Sequence, residues 1–122
     1  MFVVETDTTR QLLVLSIAGT VAADESRETV ARVREKLEEM SPGFVCLVDF
    51  RWLESMAPGS VPFIAEIMDA LAAKGVSAVV RVMPDPHRDI GLNILSQFHY
   101  GPEVRLMTFE TLADAIQALA RD

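Results

Sequence analysis

Phe44-Val45-Cys46-Leu47-Val48 is an unbroken apolar run, preceded by Ser41-Pro42-Gly43 and closed by Asp49. A strand with one wet face alternates apolar and polar residues, whereas a strand covered on both faces has no need to. The run therefore reads as a central strand with a layer on each side. Upstream, Leu12-Leu13-Val14-Leu15-Ser16-Ile17 has the same character within an extended segment over residues 11–17. A shorter extended segment covers residues 2–5, and the polar Thr6-Asp7-Thr8-Thr9-Arg10 between the two predicts a β-hairpin. Downstream, residues 77–82 and 104–109 are β-branched or apolar and bounded by turn residues, which makes them the fourth and fifth strands.

Between the strands the period changes. Val30, Val33, Leu37 and Met40 recur at helical spacing, with charged residues between them. Asp24 is the expected N-cap of that helix and Ser41-Pro42-Gly43 its stop. Val61, Ile64, Met68 and Leu71 form the stripe of a second helix, widened by Phe63 and Ile67 and ended by Lys74-Gly75. Asp85-Pro86 predicts the start of a third, carrying Ile90, Ile94, Leu95 and Phe98 and ending near Tyr100-Gly101-Pro102. Thr111 is the expected cap of the last, with Asp114 three residues on and a buried stripe of Leu112, Ala115, Ile116 and Leu119. The order is β-β-α-β-α-β-α-β-α. Strands alternating with helices imply crossovers and a mostly parallel sheet, and the N-terminal hairpin supplies an antiparallel edge.

The chain has 122 residues, half of them hydrophobic, enough for one packed domain spanning 1–122. Its net charge of −7 repels a phosphate backbone, and its basic residues form no run, so nucleic acid is not an expected partner. No apolar stretch approaches the length of a membrane span, and Met1-Phe2-Val3-Val4-Glu5 lacks the basic start of a signal peptide. A cytoplasmic protein is expected. The single cysteine, Cys46, sits inside the central strand, where it is a small core hydrophobe.

Catalytic chemistry finds no foothold. Neither a dinucleotide-binding nor a P-loop glycine pattern is present, and no G-x-S-x-G surrounds any serine. His87 and His99 fall at opposite ends of the expected third helix, without a carboxylate or thiolate at ligand spacing. No metal, cofactor or catalytic residue is assigned. Asp49, at the end of a central strand, stands where a response-regulator phosphoacceptor would. However, Ala18-Gly19-Thr20 and Phe109-Glu110-Thr111 replace the acidic pair and lysine that such a site requires. Asp49 is therefore expected to accept hydrogen bonds from the loop after it. Trp52 and Met56 lie in that loop, either tucked under it or offered to a partner, and the first is the simpler reading.

Three stretches resemble the STAS, or anti-sigma-factor-antagonist, family. Leu13-Val14-Leu15-Ser16-Ile17-Ala18-Gly19 is similar to its second strand and the small-residue turn that follows. Val45-Cys46-Leu47-Val48-Asp49-Phe50 is similar to its third strand, which ends in Asp. Residues 104–116 are similar to its last strand and helix. The resemblance implies a STAS-like domain whose partner is a regulatory protein such as an anti-sigma factor or its kinase. The family's Asp-Ser-Ser-Gly or Asp-Ser-Thr-Gly motif, where the kinase phosphorylates a hydroxyl, falls without gaps on Ala57-Pro58-Gly59-Ser60. A one-residue insertion brings Ser60 to the second hydroxyl position, with Pro58 in place of the acid. Ser60 is thus the candidate phosphoacceptor, and the alternative reading makes it the N-cap ahead of Val61-Pro62.

The resemblance implies a non-catalytic binding module without the usual serine switch. Its partner surface would be Asp49, Arg51, Trp52, Met56, Pro58, Gly59 and Ser60. The alternative it leaves open is a carrier or sensor of a small apolar ligand, near Met56, Phe63, Ile64, Ile67 and Met68. The short apolar first strand adds a homodimer formed by edge pairing to the expectations.

Overall fold

The computed structural model describes residues 1–85, 96 and 99–120. The hairpin is β1 (Phe2–Asp7) and β2 (Leu12–Val21), followed by α1 (Ala23–Leu37), β3 (Val45–Met56), one 3-10 turn (Pro58–Ser60) and α2 (Val61–Lys74). Then come β4 (Ala78–Val82), β5 (Arg105–Phe109) and α3 (Leu112–Ala120). Most of the helix expected from Asp85 onward, with Ile90, Ile94, Leu95, Phe98 and His87, lies outside the described residues.

The five strands stand in the sheet in chain order, with β1 antiparallel to β2 and every other neighbouring pair parallel. The mixed α/β architecture expected from the sequence is therefore present. Alternate residues of the central strands feed two separate cores, which is why those strands read as unbroken apolar runs. Leu13, Leu15 and Ile17 of β2 and Cys46, Val48 and Phe50 of β3 face α1 and α2 in the main core. Leu47, Val80 and Val82 point the other way, where Ala115 of α3 covers them. Burying side chains of this size stabilises the fold by about 1.5–3 kcal/mol each.

α1 packs against α2, and its buried residues are Val30, Val33 and Leu37 with the fully buried Ser26 and Thr29 beside them. Their hydroxyls donate back to the carbonyls of Ala22 and Glu25 at 3.2 and 2.8 Å, so neither is left unsatisfied. Asp24 is not the cap. The helix starts two residues earlier than the sequence suggests, capped at Ala22, and Asp24 sits in the first turn, where its charge favours the positive helix end. Gly75 ends α2 at φ 91°, with its amide and that of Val76 closing onto Ala72 and Leu71. Ile116 departs from the buried stripe expected for the last helix. It is 51% exposed, because α3 rests on the sheet along the line of Leu112, Ala115 and Leu119 and turns Ile116 aside.

Candidate functional site

The main difference from the sequence reading lies just after Asp49. The chain does not loop out there. β3 continues to Met56 and stays paired with β2 through Val21, past the end of β4, which stops opposite Asp49. The extension survives as strand because β2 also runs on and because two register shifts, between Ser16 and Ala18 and between Gly19 and Thr20, add twist. The result is a two-stranded ribbon projecting from the sheet. Val21 is fully buried at its end and the half-buried Met56 packs on the main core, so the ribbon is anchored on one side only.

On its other side Arg51 and Trp52 come together. The Asp49 carboxylate accepts from the Arg51 amide at 3.0 Å, and from the guanidinium through Nε at 3.1 and 3.2 Å and Nη2 at 3.0 Å. Asp49 is an acceptor as expected, but from Arg51 within β3 rather than from a loop after the strand's end. Those bonds to a carboxylate hold the Arg51 guanidinium even more firmly protonated than usual. The same guanidinium lies 5.5 Å from the Trp52 ring centroid, within cation–π range. Trp52 itself is 65% exposed. The simpler sequence reading, a tryptophan tucked beneath a loop, is corrected: its strand neighbour Leu53 takes the inward place and packs on the core.

Beyond the ribbon, the Ala57 amide donates to the Val21 carbonyl at 2.9 Å, and Pro58 and Gly59 sit exposed in the 3-10 turn. A side chain at Gly59 would press its Cβ to 3.3 Å from that of Ala23, so the turn lies close against the start of α1. Ser60 is fully buried and donates its hydroxyl to the Val21 carbonyl at 3.4 Å. Ser60 occupies the N-cap position of α2, as the alternative reading has it, but its backbone is helical and its side chain makes no capping hydrogen bond. The turn ahead of it already supplies helical backbone, and the hydroxyl is turned back toward β2. Asp49, Arg51 and Trp52 are thus brought together, Pro58 and Gly59 are exposed in the turn beyond the ribbon's end, beside the start of α1, and Met56 and Ser60 face inward.

One feature of this end was not legible in the sequence. Arg27 of α1 stacks 5.5 Å from the ring of Phe63 in the first turn of α2, a second arginine on an aromatic face joining residues 36 positions apart. Nothing local to either position signals the pairing.

Beneath α2 a cavity of about 20 Å³ is lined by Ile64, Ile67 and Met68, with Arg81, Ser96 and Tyr100 among its other walls. That is room for about one water, so these residues act as core packing. Arg81 is buried and donates to Thr108 Oγ1 from Nε at 3.1 Å and Nη2 at 2.8 Å, and to Ser96 Oγ from Nη1 at 3.4 Å. His99 bonds Asp69 through Nδ1 at 2.6 Å, tying the residue to α2. Among the described residues no group of three His, Cys, Asp or Glu is placed to hold a metal, and no helix is long and apolar enough to cross a membrane.

No protein-family profile matches the chain, and no curated protein matches it in sequence. Solved structures do match. An uncharacterized DUF3478-family protein with a SpoIIAA-like fold from Shewanella loihica PV-4 superposes with a TM-score of 0.73 at 15% identity, covering 98% of this chain and 92% of that one. The phosphorylated Bacillus cell-fate determinant SpoIIAA gives a TM-score of 0.66 at 19% identity, over 98% and 99% of the two chains. An anti-sigma factor antagonist from Mycobacterium paratuberculosis gives 0.63 at 20%, over 100% and 94%. With nearly the whole of each chain superposed, the molecule has the STAS-type, SpoIIAA-like fold.

Proposed function

We propose that this chain is a non-catalytic regulatory module that docks an anti-sigma factor or its kinase through the outer side of the β2–β3 ribbon. The observation that carries the reading is the exposed Trp52 with the Arg51 guanidinium stacked on it and locked by Asp49. Tryptophan and arginine are the residue types that dominate binding hot spots, and a side chain fixed before binding loses less entropy when the partner arrives. The partner class follows from the fold neighbours, two of which are anti-sigma factor antagonists by name. The charge of −7 suits a basic partner surface.

In this reading the serine switch is absent. A kinase needs an accessible hydroxyl, and Ser60, the last residue of the 3-10 turn, is fully buried. Binding would then be governed by abundance or by the partner rather than by phosphate on this chain. The test is a set of binding isotherms against the anti-sigma factors of the source organism, with Trp52→Ala and Arg51→Ala beside the parent chain. Each variant should weaken capture at least about tenfold; Trp52→Ala should keep its thermal midpoint, whereas Arg51→Ala should also lower it, because the buried Asp49 carboxylate loses its cation. Unaltered affinity in both would remove the ribbon from the interface.

A further inference from the structure

The cavity beneath α2 differs from the core around it in having a partly polar wall. β2, β3 and α2 line it with apolar side chains, Phe50 and Ile67 among them, while β4 contributes Arg81 and the chain between β4 and β5 adds Ser96 and Tyr100. All three polar residues are more than nine-tenths buried, at 6, 2 and 8% exposed. Arg81 and Ser96 are bonded to each other, and Arg81 to Thr108 as well.

Tyr100 stands apart from that network. Its amide donates to the Ser96 carbonyl at 3.1 Å, but its hydroxyl has no hydrogen-bond partner among the described residues. Burial raises the Tyr100 pKa far above its ordinary value, against a lowering by the Arg81 charge, so the phenol stays protonated and able to donate. A buried hydroxyl without a partner costs the fold its full desolvation. Yet no described side-chain polar atom is both sealed from water and unbonded. The Tyr100 hydroxyl therefore borders a space that water can enter, and the cavity that Tyr100 lines is such a space. At about 20 Å³ it exceeds the roughly 10–15 Å³ at which a single water fits.

We infer that one water is held in this cavity as a fixed part of the fold, hydrogen-bonded to the Tyr100 hydroxyl and to the Arg81–Ser96 pair. It completes a polar network that joins β4, β5 and the chain between them under α2. It also decides what the cavity refuses. An apolar molecule in its place would strip the hydroxyl of its partner and offer nothing in return, so the space beneath Ile64, Ile67 and Met68 is closed to an apolar ligand.

Crystals of the whole chain test this by electron density and by xenon, an apolar probe that enters dry cavities. The parent should show a single water about 2.8 Å from Tyr100 Oη, and no xenon beneath α2 under pressure. Tyr100→Phe keeps the ring and removes the hydroxyl, and the occupancy of the water should fall at least about twofold. Should that variant fail to fold, the parent's density and its xenon result decide alone. A parent cavity without density at hydrogen-bonding distance from Tyr100 Oη overturns the inference. So does xenon in the parent cavity, a larger molecule bound there, or a water whose occupancy is unchanged in Tyr100→Phe.

Discussion

Cys46 illustrates how burial turns a reactive group into packing. Its thiol is fully buried, and burial pushes its pKa up to about 12. The folded value lies above the unfolded one, so the thiol form supports the fold fully below the ordinary value near 9 and loses that support as pH rises toward 12. Native protein at pH 8 should therefore resist thiol reagents, with labelling at the rate of unfolding; rapid labelling of folded protein would contradict the burial. Ser60 gives a second residue-level test. Ser60→Ala should cost at most about 1 kcal/mol, since one long hydrogen bond is lost. Ser60→Asp should cost about 3 kcal/mol or more, because a carboxylate would be enclosed without a cation. Urea midpoints of the two variants decide it, and a Ser60→Asp protein as stable as the parent would reopen Ser60 as an accessible phosphoacceptor. Both residues show what sequence can deliver. The role of Cys46 follows from its apolar neighbours, whereas the fate of the Ser60 hydroxyl depends on Val21, 39 positions away, which no local pattern reveals.

The elements themselves were legible wherever a periodic run met a turn residue. Lys74-Gly75 stops α2 as expected, and the stop is steric as well as conformational: a Cβ at Gly75 would lie 3.1 Å from Pro42 Cβ, at a φ that L residues avoid. Gly75→Ala should cost about 2 kcal/mol, read as a lower urea midpoint at unchanged m-value. The length of β3 was not legible. Residues 51–56 mix charged, polar and apolar types without strict alternation, and they remain extended because β2 beside them is extended too. Pairing of this kind is a tertiary fact, and so is the exposure of Trp52, which the nearby bulge sets. Between β4 and β5, Thr108 accepts twice from the buried Arg81 guanidinium in the adjacent strand. Thr108→Val keeps the shape but removes that acceptor, and should lower stability by about 1.5–3 kcal/mol by the same urea measurement.

For the whole molecule, the sheet order predicts how stability is distributed. Over residues 45–49, β3 lies in the middle of the sheet, flanked by β2 and β4 and covered on both faces, so those amides open only when the molecule unfolds. α3 is held differently: Ala115 is its one fully buried residue, and Leu112 and Leu119 are only half covered. Hydrogen exchange should therefore show α3 opening well before residues 45–49 of β3, whose protection should equal the global unfolding free energy. Uniform protection of α3 and β3 at low concentration would refute the ranking.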